Sequence, residues 1–247
     1  MSASFSDKPP LKRWLSRLGV MLLLVVWLVI AGVVSAFVTQ GIIWLLSQLL
    51  DMTQLTENAQ TMLSGTVYYL VTAVIFITVP VILRHQQSDI RRILGLQRLL
   101  RWKDIGVALS GAVIYMIATV LAFWAIAALF PEIDLTQEQD IGIVRPFGVE
   151  LLLVCMLLVV IGPFVEELLF RGYLYGMLRR IGIPFWLTTV VVSVLFGVAH
   201  GQWNVAINVA VLSVVMCAGR EITGSLWPAF LIHALKNLLA FYLLFVS

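Results

Sequence analysis

Seven stretches of the chain are almost purely apolar, and short polar or charged segments separate them. They cover about residues 18–50, 62–83, 105–130, 148–180, 184–200, 205–218 and 226–245. A helix of 18 or more such residues crosses the ~30 Å hydrocarbon layer of a bilayer. Strands of a membrane barrel would instead alternate in short segments. The pattern therefore predicts an all-α, polytopic transmembrane helical bundle of about seven spans. The sixth is short and either spans or re-enters, and the first is longer than a perpendicular crossing needs. Pro80 is placed to bend the last turn of the second helix. Gly182-Ile183-Pro184 breaks the fourth helix from the fifth, and Pro228 suits the first turn of the seventh.

Composition points the same way. The chain is 61% hydrophobic and only 12% charged, where soluble domains run near 25% charged. No internal repeat or low-complexity segment interrupts it. Residues 1–147 read as three N-terminal transmembrane helices without a motif, and 148–247 as a motif-bearing core within one integrated membrane domain. The net charge of +3 sits in short loops, which suits membrane orientation rather than nucleic acid. Arg84, Arg91, Arg92, Arg98, Arg101 and Lys103 crowd one loop. Asp51, Glu57, Glu132, Asp134, Glu138 and Asp140 occupy loops without Lys or Arg. The positive-inside rule then places the N-terminus and segments 84–104, 172–183 and 219–225 in the cytoplasm. Lys8, Lys12, Arg13 and Arg17 precede the first apolar run, and Val34-Ser35-Ala36 loosely resembles a signal cleavage site. The apolar character continues to Leu50, so an uncleaved first helix is expected. Residues 89–103 read either as an interfacial amphipathic helix or as an ordinary basic loop. Cys155 and Cys217 read as small core residues, and the eight Trp as interfacial or packing residues.

Against this background a few strongly polar residues stand at membrane depth, all in the last third of the chain. They are Glu166, Glu167, Arg171, His200, Asn204, Asn208, His233, Lys236 and Asn237. An ionised side chain deep in a bilayer costs about 2.5–3.5 kcal/mol on insertion scales, so adjacent glutamates read first as chemistry. Glu167 with Arg171, Phe196 with His200, and His233 with Asn237 are each four apart, on one helix face. Glu167 with Arg171 reads as an ion pair. If the fourth and fifth helices form a straight hairpin about residue 183, Glu166 and His200 lie at equal depth, about 25 Å from the turn. His233 lies nearer its own turn, which requires a bend such as Gly162-Pro163 supplies. Glu166 with His200 can polarise a water for attack on a carbonyl, with His233 and Asn237 donating to the oxyanion. Alternatively, Glu166, His200 and His233 can ligate Zn²⁺. Asn204 and Asn208 read as helix glue or caps, and Gly172-x-x-x-Gly176 and Gly197-x-x-x-Gly201 as close packing. Lys236 either snorkels to the interface or tunes a nearby His.

The ordered set Glu166-Glu167-x-x-x-Arg171, Phe196-x-x-x-His200 and His233-x-x-x-Asn237 resembles the CPBP family of intramembrane proteases. These are also called ABI or CAAX amino-terminal proteases. They include type II CAAX prenyl endopeptidases and bacterial relatives linked to bacteriocin immunity. The resemblance covers about residues 148–240. It implies a helical-bundle endopeptidase acting on a membrane-anchored peptide or protein, with Glu166 and His200 activating water and His233 and Asn237 at the oxyanion. Glu167, Arg171 and Phe196 support them. Both a metalloprotease and a metal-free glutamate mechanism are compatible with the pattern. Lys236 is not part of it. An integral protein of a bacterial inner membrane is expected. Two other readings use the same cluster: a proton- or ion-coupled transporter, and a noncatalytic immunity-type membrane protein.

Overall fold

In a computed structural model, described for residues 10–83, 87–135 and 142–247, the chain is a bundle of helices with no strand among the described residues. Lys8, Arg84, Glu138 and Asp140, which belong to the charge pattern above, lie outside the described residues. The helices are α1 (Pro10–Leu49), α2 (Glu57–Leu83), α3 (Gln87–Leu94), α4 (Trp102–Leu129), α5 (Val149–Arg180), α6 (Phe185–Val198), α7 (Trp203–Thr223) and α8 (Trp227–Phe245). Among the described residues, six of these are long and apolar enough to cross a membrane. The polytopic all-α bundle is therefore the observed architecture.

The element boundaries differ from the sequence pattern in informative places. Among the described residues α1 already runs from Pro10 rather than from near residue 18, because no breaker separates Lys12, Arg13 and Arg17 from the apolar run. It continues unbroken through residues 34–36. The short helix is α6, with 14 residues, and not the sixth apolar segment, which forms the 21-residue α7. Arg220 and Glu221 read as loop because they are charged. Instead Arg220 is buried on backbone carbonyls and Glu221 pairs with Arg179 at 2.6 Å. The helix therefore runs on to Gly224, whose φ of 65° closes it in the left-handed region that Gly tolerates. α6, at about 21 Å long, falls short of the hydrocarbon thickness. His200 consequently sits in the turn after it, inside the bundle.

The three basic segments gather at one end. Leu226 N–H donates to Gly95 O at 3.0 Å, Gln97 Nε2 to Gly224 O at 2.9 Å, and Trp227 Nε1 to Arg98 O at 3.1 Å. Arg98 also forks onto Asp104 at 2.6 and 2.7 Å. Gly182 belongs to the same end, since a Cβ there would lie 2.7 Å from Arg17 Nη2. At the opposite end Glu150, in the first turn of α5, accepts from Thr56 Oγ1 at 2.5 Å and Asn58 Nδ2 at 3.2 Å. A carboxylate there also suits the positive end of the helix dipole.

The amphipathic stretch forms a helix only to Leu94, where Gly95 (φ 74°) stops it. Gly172 and Gly176 hold this helix, rather than another span, against α5. A Cβ on Gly172 would lie 3.1 Å from Leu94, and one on Gly176 would lie 2.2 Å from Ile93 O. Gly197 similarly admits Ala206 O of α7, whereas Gly201 (φ 75°) serves the turn. Gly176→Ala is expected to push α3 off α5 and cost about 1–3 kcal/mol by overpacking. The thermal unfolding midpoint reads this. Gly106→Ala, with nothing within 4 Å of its Cβ, should leave the midpoint unchanged or slightly raised. Tyr115 Oη donates to Asn208 Oδ1 at 2.7 Å, and Asn204 Oδ1 accepts from Val205 N at 2.9 Å. Both asparagines thus have structural partners. Cys155 and Cys217 are free thiols.

Candidate active site

α5 carries two π-helical stretches, Met156–Ile161 and Leu168–Leu174, on either side of Gly162–Glu167. A π turn bonds each carbonyl to the amide five residues on. For Leu158 that amide would be Pro163, which has no N–H. Its carbonyl accepts instead from Asn237 Nδ2 of α8 at 2.8 Å. In the second stretch Arg171 O accepts from Arg220 Nε at 3.2 Å. Each π stretch therefore gives one carbonyl to a side chain of another helix, and the bend expected at Gly162-Pro163 is a change of helical winding.

Gly162 also makes room for a residue that the sequence did not single out. A Cβ there would lie 3.0 Å from the Cζ and Oη of Tyr69. Tyr69, on α2, donates its hydroxyl to Glu166 Oε1 at 2.8 Å. A tyrosine in an apolar helix carries no sequence signal that separates it from a packing aromatic.

The two glutamates face different neighbours, because successive residues on a helix point about 100° apart. The Glu166 side chain is 22% exposed, and that of Glu167 is fully buried. Glu167 Oε1 accepts from Arg171 Nη1 at 3.0 Å and from His233 Nδ1 at 2.8 Å. Its Oε2, with Arg171 Nε and Nη2, has no hydrogen-bond partner among the described residues. The face of the Arg171 guanidinium is covered by the Phe196 ring at 4.1 Å, a cation–π contact. Phe196 is itself buried and lies edge-on to Phe170 and His200, both at 4.9 Å, and to His233 at 5.8 Å. His200 Nδ1 pairs with Phe196 O at 2.8 Å.

Glu166, His200, His233 and Asn237 line a single cavity of about 740 Å³. Tyr69 and Lys236 line it too, and Leu28, Val29 and Val33 of α1 extend its apolar wall. Two polar groups stand against Glu166. They are the Tyr69 hydroxyl and His233, whose Nε2 is 3.9 Å from Glu166 Oε2. His233 thus stands between the two glutamates, with Nδ1 held by Glu167 and Nε2 turned to Glu166. The ordered tautomer follows from its partner: an ionised carboxylate only accepts, so Nδ1 carries a proton.

The donor set does not suit a bound metal. Glu166, His200 and His233 do not assemble into a group of three that could hold an ion, and no other such group of His, Cys, Asp or Glu occurs among the described residues. Lys236 lines the same cavity wall, with Glu166 as its electrostatic partner.

Fold and cavity together define an integral membrane protein with a carboxylate–imidazole cluster enclosed among its helices. Residues 148–239 match the family model described as Type II CAAX prenyl endopeptidase Rce1-like, which relates the chain to the CPBP/CAAX protease family. The match contains every cluster residue named above except Tyr69, and leaves α1 to α4 outside. It supports a function of the intramembrane CAAX-protease kind. No curated protein and no solved structure matches the chain.

Proposed function

We propose that the chain hydrolyses a peptide bond of a membrane-associated substrate in the cavity lined by Glu166, His200, His233 and Asn237. The observation that carries this reading is the convergence of those four side chains on one cavity, with Glu166 Oε2 3.9 Å from His233 Nε2. Glu166 is the general base. It takes a proton from water as the water oxygen bonds to the scissile carbonyl carbon and the carbonyl electron pair moves to oxygen. His200, whose Nδ1 is committed to Phe196 O, offers Nε2 to orient that water. As an imidazolium, with a proton on Nε2 as well as on the Nδ1 held by Glu167, His233 donates from Nε2 to the oxyanion. Asn237 adds the N–H of its amide that is not bonded to Leu158 O. Donors fixed in this way before the charge develops are the effective ones. Collapse breaks the C–N bond, and the proton on Glu166 passes to the leaving amine.

The apolar wall from α1 and α2 suits a substrate that enters from the lipid. A prenylated CAAX-type peptide is the first candidate, from the family description, and a single-span peptide the second. The basic turns are assigned to the cytoplasm, in a bacterial inner membrane. Purified protein in liposomes, given each peptide in turn, should release a C-terminal fragment detectable by mass spectrometry. If no membrane-anchored peptide is cleaved while ions or solutes cross the liposome membrane, the transporter reading replaces this one.

Tyr69 is a positioning residue in this scheme. A hydrogen bond to a charged group contributes about 1.5–3 kcal/mol, and each 1.36 kcal/mol is tenfold in rate. Tyr69→Phe is therefore expected to lower kcat by about 10–100-fold with KM little changed. A rise in KM at unchanged kcat would instead place Tyr69 in substrate binding.

A further inference from the structure

A second cavity, of about 420 Å³, opens at the basic end between α3, the end of α5 and the end of α7. Four arginines line it, Arg92, Arg179, Arg180 and Arg220, with a single carboxylate, Glu221. That carboxylate is already engaged. Arg179 donates to its two oxygens at 2.6 and 3.3 Å, and Tyr175 donates its hydroxyl to it. Arg220 is 6% exposed, and donates to the backbone carbonyls of Arg171, Ile93 and Arg92 at 3.2, 3.0 and 3.5 Å. Carbonyl dipoles position a guanidinium without cancelling its unit charge. The lining thus holds four positive charges against one negative.

A membrane-orienting charge bias needs only basic residues somewhere on the correct side. It does not need four arginines around one concavity. Guanidinium groups pair with phosphate oxygens, and basic pockets between transmembrane helices at the membrane surface take anionic headgroups. The depth also fits. The α3–α4 turn bonded to Gly224 on the cavity rim leads into Trp102, the first residue of α4, at 85% exposure. Trp is enriched at bilayer interfaces.

We propose that this cavity binds a phosphate group, carried by an anionic phospholipid of the surrounding leaflet. Native mass spectrometry of the full chain, titrated with phosphatidylglycerol and separately with phosphatidylcholine, tests it. Arg92→Gln with Arg180→Gln removes two lining charges. Arg91→Gln with Arg101→Gln removes two charges at the same end but outside the lining. Arg179 and Arg220 stay, since they bond Glu221 and the carbonyls that seat α3. The wild type should prefer phosphatidylglycerol, and the lining pair should lose roughly tenfold or more in that preference. The outside pair should change it by less than about twofold. If inorganic phosphate alone binds with the same Arg92 and Arg180 dependence and the lipid gains nothing over it, the phosphate site stands with a soluble source. Equal losses in both pairs would show a diffuse basic belt and overturn the site. Full preference in the lining pair would overturn it too. Unfolding midpoints of both pairs accompany the titration. If the lining pair fails to fold, the exposed Arg92→Gln alone is read in its place.

Discussion

Glu166→Gln is expected to lower kcat by about 10²–10⁴-fold, the usual contribution of a positioned general base. Glutamine is nearly isosteric and its amide oxygen still accepts from Tyr69, whose hydroxyl lies 2.8 Å from Glu166 Oε1. The packing around Gly162 should therefore survive. What the amide cannot do is take a proton from water at neutral pH. KM should change little, since the loss falls on an interaction made in the transition state. Peptide cleavage in liposomes measures the rate, and an unchanged unfolding midpoint shows that the fold is intact. Cleavage at the wild-type rate would remove Glu166 from the chemistry.

Arg171→Leu should instead act through the fold. The Glu167–Arg171 pair is fully buried at 3.0 Å, and Glu167 is also the carboxylate that holds His233. Removing one member of a buried pair leaves an uncompensated charge and costs about 3–5 kcal/mol. The variant should unfold well below the wild type, and the fraction that folds should be nearly inactive because His233 loses its orientation. Adding Glu167→Gln to Arg171→Leu removes the stranded charge, so much of the midpoint should return. Activity should not, because the ring of His233 is no longer held by a carboxylate. A single variant as stable as the wild type would mean that the pair does not matter to the fold. Recovery of activity in the double variant would mean that His233 does not need Glu167.

These two residues are also where the sequence was most legible. Adjacent carboxylates in an apolar run violate what a bilayer-spanning helix tolerates, and helical spacing alone pairs Glu167 with Arg171. The same spacing puts Phe196 with His200 and His233 with Asn237, and all of these residues lie around one site. The approach of His233 to Glu166 was not legible. The hairpin argument assumed two straight arms about residue 183, whereas α5 is rewound by π turns on both sides of the glutamates. Backbone winding of this kind leaves little trace in composition; only the missing amide of Pro163 hinted at it. Tyr69 was hidden for a related reason, since an aromatic on an apolar helix looks the same whether it packs or donates. Arg220 misled in the opposite direction. Its charge suggested a loop, but carbonyls of two neighbouring elements hold it inside the bundle. Gly172, Gly176 and Gly197 were legible as close contacts, though not as the seat of α3, whereas Gly201, expected to pack, instead takes the positive φ of a turn.

In the proposed mechanism Glu166 activates a water rather than attacking the peptide itself. A single turnover in H₂¹⁸O, with enzyme in excess over a cleavable membrane-anchored peptide, tests it most directly. The new carboxylate keeps one oxygen from the peptide carbonyl and should take the other from water. One ¹⁸O is expected in the first-turnover product, and Glu166→Gln should form that product about 10²–10⁴-fold more slowly. An unlabelled first-turnover product would contradict it, because its second oxygen would have come from an enzyme carboxylate.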